Sequence, residues 1–334
     1  MKEAKFYNKV EKDSVKCLLC PQNCLIREGK YGSCGVRKNV DGRLYSEIYG
    51  KISAYNFDPI EKKPLYHFHP GSKILSAGSI GCNLHCQFCQ NHEISQNPKR
   101  IRRSLQNASP EELVDAAKNA SGNTGISYTY NEPTVWYEYM YDIAVKASKA
   151  GLKNVMVTNG FINKSPLEEL IPYMDAFSID LKAFTDDFYK RLSFARLEPV
   201  LGNIKYIKEK GKHLEIVNLI IPTLNDDRVI FGEMVNWISG ELGNDTVLHI
   251  NRYYPTYKMD IPATSASLLK ELYEIARQKL NYVYIGNIGG IEQGRDTRCS
   301  KCNEVVIKRD GYFINRTGID NGKCIHCGNS VVVD

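Results

Sequence analysis

Along the chain, short apolar runs that suit buried strands alternate, from residue 73 onward, with longer segments in which apolar residues recur at helical spacing. The apolar runs predict strands at residues 73–79, 125–130, 154–158, 176–181, 214–221, 247–253 and 282–285. The longer segments predict helices at residues 110–120, 134–150, 166–173, 185–191, 198–210, 227–241 and 265–280. This regular alternation is typical of a parallel α/β architecture.

Two of the predicted helices have clear chemical signals at their ends. Ser109 is a good N-cap, Pro110 suits the first helical position, and Glu111 and Glu112 are acids in the first turn. Gly151 ends the next helix. Because crossovers between parallel strands are right-handed, about six strand–helix units predict a partial (β/α)6 TIM-like barrel. In such barrels the functional residues lie at the carboxyl ends of the strands.

Segments without this alternation flank the predicted barrel on both sides. We expect residues 1–72 to form a cysteine-rich module and an extended connector, residues 73–290 the barrel, and residues 291–334 a second cysteine-rich module. In the last module, apolar runs on both sides of Arg309-Asp310-Gly311 predict a β-hairpin.

All eleven cysteines fall into three groups, and residues 90–298 contain none. The N-terminal residues lack the apolar run of a signal peptide, and no stretch approaches the ~18 consecutive apolar residues of a membrane span. We therefore expect a cytoplasmic protein that has no membrane partner. Thiols stay reduced in that compartment, where clustered cysteines are usually metal ligands or catalytic groups.

The middle group of cysteines has the most specific spacing. Cys82, Cys86 and Cys89 form a C-x3-C-x2-C motif, and Phe88 precedes the last of them. Three thiolates on one short loop can bind three irons of a [4Fe-4S] cluster. The fourth iron is then open to the amino and carboxylate groups of S-adenosylmethionine (SAM). We include Phe88 among the cofactor-binding residues. A zinc site or a set of unrelated thiols is the alternative.

The two terminal groups of cysteines could each hold a further metal. The C-terminal group consists of two C-x2-C pairs separated by 21 residues, Cys299, Cys302, Cys324 and Cys327. This spacing is typical of one tetrahedral four-thiolate site, as in a zinc ribbon. We expect zinc there, with iron in a rubredoxin-like site as the alternative.

The N-terminal group has a less regular spacing. It comprises Cys17, Cys20, Cys24 and Cys34 within 18 residues. A zinc ion and a second iron–sulfur cluster both remain open for these four residues. Structural thiols without a ligand are the third alternative.

Polar residues follow nearly every predicted strand, at the end where a parallel barrel has its site. The candidates for cofactor binding are Asn131, Glu132, Thr158, Asn159, Asp180, Asn218, Asn251 and Asn287. Lys182 and His249 are the candidates for catalytic residues. Residues two apart in a strand face the same side, so Asp180 should lie beside Lys182, and His249 beside Asn251. For each residue taken alone, a cap or a structural hydrogen bond is the alternative.

Taken together, the cysteine loop and the predicted barrel resemble the radical SAM superfamily. The sequences NEP at residues 131–133, TNG at 158–160 and DLK at 180–182 are similar to motifs of the pyruvate formate-lyase activating-enzyme branch. The whole chain resembles the radical SAM enzyme of the AmmeMemoRadiSam system. The motifs that carry this likeness are CxxCPxxC at residues 17–24, KPLYHF at 63–68, GCN at 81–83, YNEPT at 130–134 and the C-terminal cysteine pairs.

This resemblance implies that the loop cluster, Glu132, Asn159 and Asp180 bind SAM. One departure concerns the SAM amino group, because activating enzymes commonly have Gly-Gly-Glu where this chain has Tyr130-Asn131-Glu132. The ferredoxin-like insert of activating enzymes follows the cysteine loop. Here the extra N-terminal cysteines precede it, so the resemblance does not assign them a cluster.

The resemblance also implies a reaction. An external electron donor of the flavodoxin or ferredoxin type reduces the cluster, SAM is cleaved, and a 5'-deoxyadenosyl radical removes hydrogen from a substrate. We expect a residue of a partner protein as substrate, with a small metabolite as the alternative. An inactive metal-binding scaffold and an RNA-modifying enzyme are alternatives from other classes. Nucleic acid is not an expected partner, because the net charge of +6 is diffuse and the C-terminal module lacks an aromatic and basic pattern.

Overall fold

The structure is a computed structural model that describes residues 1–11 and 13–334. Its described part combines one large mixed sheet and its helices with smaller sheets formed from the two ends of the chain. None of the helices within the described residues has both the length and the apolar character needed to cross a membrane.

The N-terminal residues form two small antiparallel sheets. The strands of this region are β1 (Lys2–Glu3), β2 (Tyr7–Glu11), β3 (Ser14–Cys17), β4 (Leu25–Arg27), β5 (Arg37–Val40), β6 (Arg43–Ser46) and β7 (Lys51–Ile52). Strand β7 belongs to neither of the two sheets. One sheet has the order β2-β3-β4 and the other β1-β6-β5. Val15, Ile26 and Leu44 are fully buried between them, so this module has a small apolar core.

A buried ion pair attaches the N-terminal module to the rest of the protein. Both terminal nitrogens of Arg37 lie 2.9 Å from the carboxylate oxygens of Glu138, and both side chains are almost completely buried. The second nitrogen also donates to the backbone oxygen of Lys5. Such a bidentate contact fixes the two groups in one orientation.

Of the next nine strands, eight form the central sheet and one pairs with β7. They are β8 (Ala54–Pro59), β9 (Lys73–Gly78), β10 (Gln106–Asn107), β11 (Asn123–Tyr128), β12 (Lys153–Thr158), β13 (Ala176–Asp180), β14 (His213–Ile220), β15 (Val247–Arg252) and β16 (Val283–Gly286). Strand β10 pairs with β7. Among the described residues the central sheet has eight strands in the order β16-β15-β14-β13-β12-β11-β9-β8, all parallel except β8.

Helices connect the parallel strands. They are α1 (His92–Gln96), α2 (Pro98–Ile101), α3 (Pro110–Asn119), α4 (Tyr137–Lys149), α5 (Lys164–Leu170), α6 (Asp186–Phe188), α7 (Leu197–Glu209), α8 (Arg228–Leu242) and α9 (Ala266–Arg277). Single turns of 3-10 helix span Ile60–Lys62, Arg102–Ser104, Pro133–Trp136 and Ile171–Tyr173, and a π-helix spans Tyr189–Ser193. Apolar faces such as those of Leu113, Met140 and Leu269 are buried against the sheet.

The C-terminal residues form a ribbon that packs on residues 66–69. Its strands are β17 (Thr297–Arg298), β18 (Val305–Asp310), β19 (Phe313–Asn315), β20 (Ile319–Asp320) and β21 (Lys323–Cys324). The buried ring of His67 contacts the Val331 backbone oxygen at 2.7 Å and the Tyr284 hydroxyl at 2.6 Å. Arg309 donates to the backbone oxygen of Tyr66 at 3.0 Å. These contacts join the ribbon to the central sheet.

The mixed α/β class is confirmed, and each strand predicted from the apolar pattern exists. Strand β18 pairs antiparallel with β19, so the predicted hairpin is present as well. The signals at Ser109 are also confirmed, because Ser109 and Glu112 form a reciprocal capping box. The curvature of the sheet into a partial barrel and the boundaries between modules remain predictions.

Three local features differ from the sequence prediction. Residues 54–59 of the expected connector form β8 and extend the central sheet. The predicted helix 166–173 ends as an α-helix at Leu170, where Pro172 lacks a backbone N–H and the chain tightens into a 3-10 turn. The predicted helix 185–191 becomes a short helix followed by a π-helix, which ends at Phe194 with a φ of 55°.

Candidate active site

The carboxyl ends of the parallel strands surround a cavity of about 550 Å³. Cys82, Cys86 and Cys89 lie in its wall, on the loop that follows β9. Because parallel strands all end at one edge of the sheet, the residues after the other strands complete the wall. The predicted residues that line this cavity are Phe88 of the cysteine loop and, from the other strand ends, Asn131, Glu132, Thr158, Asn159, Asp180, Lys182, Asn251 and Asn287.

Asn131 holds the start of the cysteine loop in place. Its side-chain oxygen accepts from the backbone N–H of Ser79 at 2.9 Å, and its nitrogen donates to the backbone oxygen of Gly81 at 2.9 Å. Gly81 has a φ of 84°, and a β-carbon there would lie 2.6 Å from the backbone oxygen of Cys34. Glycine is therefore required both by the backbone conformation and by the close approach of the N-terminal module.

Two further amides support the middle of the loop. Asn83 donates to the backbone oxygen of Phe161 at 2.6 Å, and its side-chain oxygen accepts from Asn159 at 2.9 Å. The Asn159 amide nitrogen also lies 3.8 Å from the sulfur of Cys82. The loop is thus attached to the ends of both β11 and β12, which restricts where its thiols can point.

The carboxylate of Glu132 is the buried hub of this part of the site. It accepts four hydrogen bonds, from the backbone N–H and hydroxyl of Thr134, the hydroxyl of Thr158 and the backbone N–H of Asn159, at 2.7 to 3.0 Å. Burial raises the pKa of the Glu132 carboxyl, and these donors oppose the rise. The fixed carboxylate provides a negative wall beside the thiols.

Asp180 and Lys182 form an ion pair in the opposite part of the wall. Their charged atoms lie 2.7 Å apart, as expected for residues two apart at the end of β13. Burial alone would lower the pKa of Lys182, but Asp180 and Cys86 hold it above its ordinary value. Burial raises the pKa of the Cys86 and Cys89 thiols, and the charge of Lys182 opposes that rise.

These residues fit the groups that the family resemblance implies. The three loop thiols are free of disulfides and face one cavity, as ligands of three irons must. The nearby cation of Lys182 favours the thiolate form of Cys86 and Cys89. The same cavity has room and polar groups for a nucleoside-sized ligand beside the thiols, including two carboxylates and the amide of Asn159.

Two predicted site residues lie elsewhere. Val217 and Leu219 of β14 face the cavity, so Asn218 between them faces away and donates to the backbone oxygen of Leu181 at 2.6 Å. Its predicted role in cofactor binding has no geometric support.

His249 was predicted as a catalytic residue, but it lies in the wall of a neighbouring cavity and contacts Glu215 at 2.6 Å. Glu215 also contacts His213 at 2.9 Å. Burial alone would raise the pKa of Glu215, but the two histidines hold it well below its usual range. His249 is therefore part of a buried charge network, although it does share a cavity with Asn251 as predicted.

Some residues that line the cavity come from outside the parallel strands and the loops that follow them, and the sequence analysis did not include them. Lys62 and Lys63 precede β9, and Tyr312 lies in the ribbon hairpin, yet all three line the cavity of the thiols. Lys63 is buried and lies 2.6 Å from Asp58, which also accepts from the hydroxyl of Tyr130 at 2.7 Å. The KPLYHF motif at residues 63–68 was the available signal, but it did not indicate which side chains face the site.

The ribbon brings its four cysteines together. The sulfur of Cys299 lies 3.5 Å from that of Cys327, and the sulfur of Cys302 lies 3.6 Å from that of Cys324. All four sulfurs lie within 4.8 Å of one another. Burial raises the pKa of Cys299, but hydrogen bonds from backbone N–H groups and neighbouring thiols lower it to about 7. This group could bind one metal ion.

The four N-terminal cysteines, Cys17, Cys20, Cys24 and Cys34, line one small pocket between the N-terminal sheets and the cysteine loop. Asn83 of the loop lies in the same wall. Residues of the same short loop therefore line both the pocket of the N-terminal thiols and the cavity of the loop thiols.

Comparison with known proteins agrees with this geometry. Residues 78–231 match the Radical SAM superfamily. The chain is 42% identical to an uncharacterized protein of Methanocaldococcus jannaschii over 99% of both chains. It is 25% identical to the pyruvate formate-lyase-activating enzyme of Listeria monocytogenes over 44% of this chain and 62% of that enzyme, less than two thirds of its length.

A solved structure shows the same fold at low sequence identity. The radical SAM methyltransferase from Sphaerobacter thermophilus is 17% identical, with a TM-score of 0.51 over 68% of this chain and 69% of that one. The superfamily match spans the cysteine loop and the ends of β9 to β14, which are the elements that form most of the cavity wall. The chain is therefore an enzyme of the radical SAM superfamily, similar to the activating enzymes.

Proposed function

We propose that Cys82, Cys86 and Cys89 each bind one iron of a [4Fe-4S] cluster whose fourth iron binds SAM. The observation that carries this proposal is the convergence of the three thiols on one cavity with Glu132, Asn159, Asp180 and Lys182. When bound and reduced, the cluster and SAM supply a 5'-deoxyadenosyl radical that abstracts hydrogen from a substrate. We propose a reductant of the flavodoxin or ferredoxin type.

The chain's own residues orient these groups and keep water away. Asn131 and Asn83 hold the loop by hydrogen bonds to its backbone and to β12's end, so they act as positioning residues. The cation of Lys182 favours thiolates at Cys86 and Cys89. The buried aromatic ring of Phe88 packs against Phe188, with ring centroids 5.6 Å apart, and shields that part of the loop from solvent.

We expect Cys86→Ala to remove both the cluster and the chemistry. After anaerobic reconstitution with iron and sulfide, wild-type protein reduced with dithionite should convert SAM to 5'-deoxyadenosine, and the variant should not. Substrate-independent cleavage is assayed by chromatography. Ser121→Ala, which changes an exposed residue outside the motif, is the control and should retain cleavage. Equal product from wild type and the Cys86 variant would contradict the assignment of the loop.

We propose that Asp180 and Lys182 bind the polar groups of SAM. Asp180 accepts a hydrogen bond from Lys182 at one carboxylate oxygen. The side chains of Asp180 and Lys182 are 35% and 17% exposed, so both can still contact a ligand. The free acceptor sites of the Asp180 carboxylate suit the ribose hydroxyl groups of SAM, and the ammonium group of Lys182 suits the carboxylate of SAM. Glu132 is positioned for a cation such as the SAM amino group, although its oxygens already accept four hydrogen bonds. Thr158, Asn251 and Asn287 complete the wall.

For Asp180→Asn we expect unchanged iron content and weaker SAM binding. Loss of a charged hydrogen bond costs about 1.5–3 kcal/mol, which corresponds to roughly a tenfold to hundredfold weaker affinity. Equilibrium dialysis of the reconstituted protein measures the affinity. Asp175→Asn is the control, because Asp175 precedes the same strand and accepts from Asn154 at 2.8 Å. An Asp180 variant that binds SAM as tightly as the Asp175 variant would refute this role.

We propose that the C-terminal ribbon binds structural zinc. In a tetrahedral site with Zn–S bonds of about 2.3 Å, the sulfurs are about 3.8 Å apart. The closest pairs of ribbon sulfurs, at 3.5 and 3.6 Å, agree with that spacing. Because the ribbon also contributes Tyr312 to the cavity, its metal would support the site indirectly.

The purified protein should therefore contain one zinc ion that Cys302→Ser removes. Metal analysis measures this directly, and replacement by cobalt should give the visible absorption of a tetrahedral thiolate site. Lys301→Ala, which changes an exposed residue between Cys299 and Cys302, is the control, and this variant should keep the zinc. Iron with a rubredoxin-like spectrum at this site would contradict the proposal.

We propose that the substrate is a residue of a partner protein. A second cavity of about 470 Å³ lies between the loop after β16 and the ribbon hairpin, and it shares Lys62, Asn251, Asn287 and Tyr312 with the cavity of the thiols. A peptide segment could reach the reactive centre by this route. Tyr312 and Phe313 at the hairpin tip are 55% and 84% exposed, as suits contact with a protein. The relatives named as pyruvate formate-lyase-activating enzymes support a protein substrate by analogy.

Deuterium transfer distinguishes the classes of substrate. A deuterated cell extract is separated by dialysis into macromolecules and small molecules, and each fraction is incubated with the reduced enzyme and SAM. We expect deuterated 5'-deoxyadenosine from the macromolecular fraction, with loss of the signal after protease treatment and not after ribonuclease treatment. Deuterium transfer from the small-molecule fraction alone would establish a metabolite substrate, and ribonuclease sensitivity would establish RNA.

Three coarser expectations complete the proposal. We propose that the central sheet curves as a partial (β/α)6 barrel, and that residues 1–72, 73–290 and 291–334 form the three modules. A cytoplasmic location is consistent with eleven free cysteines, since all of them are without disulfides in the structure.

A further inference from the structure

The N-terminal pocket holds four thiols that the proposed reaction does not use. Cys17, Cys20, Cys24 and Cys34 all line it, together with apolar side chains such as Leu19, Ile26 and Val135. None of the four forms a disulfide. Cys17 is buried and the other three cysteines are partly buried. Four free thiols that converge on one largely apolar pocket point to a thiophilic ligand.

The spacing of the sulfurs separates two kinds of site. Among the described residues, the ribbon cysteines form a group in which all ligand atoms lie within 4.8 Å, as one tetrahedral ion requires. Within the same described set, neither the loop thiols nor the N-terminal thiols form such a group. Thiolates that bind different irons of a cluster must lie farther apart than thiolates that bind one ion. The N-terminal thiols therefore resemble the loop thiols and differ from the ribbon thiols.

A buried guanidinium gives a second indication of an anionic ligand. Arg37 lines the pocket and is 1% exposed, and its Nε has no hydrogen-bond partner in the described part of the chain. Its two terminal nitrogens are already bound to Glu138 and Lys5. A buried donor without a partner is costly, and a negatively charged cluster with sulfur acceptors would satisfy it. The backbone N–H of Ser33 already points at the sulfur of Cys24 from 3.4 Å.

We propose that Cys17, Cys20, Cys24 and Cys34 bind a second iron–sulfur cluster, and not a single zinc ion. With four thiolate ligands, no iron of this cluster is open, so it would carry electrons and would not bind SAM. Its pocket shares Asn83 with the cysteine loop, and the Cys34 backbone packs against Gly81. The inference rests on residues separate from the proposed loop cluster, so each can fail without the other.

Iron analysis of matched cysteine variants tests the proposal. The loop variant carries Cys82→Ala, Cys86→Ala and Cys89→Ala, the N-terminal variant carries Cys20→Ala and Cys24→Ala, and a third carries all five changes. After anaerobic reconstitution and gel filtration, we expect two clusters in the wild type, one of about four irons in each of the first two variants, and none in the third. Sulfide should accompany iron in equal amount.

Electron paramagnetic resonance gives a readout that does not depend on activity. After reduction with dithionite, the loop variant should show a cluster signal that SAM leaves unchanged, whereas SAM should alter the signal of the N-terminal variant. If the N-terminal variant does not fold, the loop variant still decides, because its N-terminal residues are intact.

Zinc without iron in the loop variant would overturn the inference, as would iron accompanied by sulfide that persists when all five cysteines are replaced. The same experiment also detects a failure of the loop cluster alone. If removal of the loop thiols leaves the iron content of the wild type unchanged, the proposed loop cluster fails and the N-terminal cluster does not.

Discussion

The site depends on one buried carboxylate and its donors. Glu132 follows β11, and its four hydrogen bonds join it to the start of the next helical turn and to the end of β12. Asn159, whose backbone N–H is one of the donors, then holds Asn83 in the cysteine loop. A buried carboxylate is stable only with such partners. The requirement to satisfy it fixes the ends of two strands and, through them, the loop that presents the three thiols.

Segments outside the parallel strands support the cysteine loop and complete the cavity wall. The N-terminal module packs against the back of the cysteine loop, where only glycine at position 81 leaves room for the backbone of Cys34. The ribbon contributes Tyr312 to the front of the cavity, and residues just before β9 contribute Lys62 and Lys63. Segments that are far apart in sequence thereby line one cavity with the loop thiols.

Much of this arrangement follows from local sequence signals. The strands were predictable because buried parallel strands are short apolar runs, and the loop was predictable because its cysteine spacing is specific. Asp180 and Lys182 were predictable as a pair because residues two apart share a face. Position in the chain and residue type were sufficient in each case.

Other features depend on contacts between distant segments, which local patterns do not contain. The phase of β14 is set by Val217 and Leu219 facing the cavity, so Asn218 turned away. His249 is held by Glu215 from the neighbouring strand, a partner that no spacing rule identifies. Likewise, β8 pairs with β9 at the edge of the sheet, and Lys62 and Lys63, which follow β8, line the cavity.

The most direct test of the account is electron–nuclear double resonance of the reduced, reconstituted protein with SAM labelled with ¹⁵N at its amino group. The account predicts a strong coupling between that nitrogen and the cluster held by Cys82, Cys86 and Cys89, because the fourth iron is open. A loaded and reduced cluster that shows no coupling to the labelled nitrogen, although SAM is bound, would contradict it.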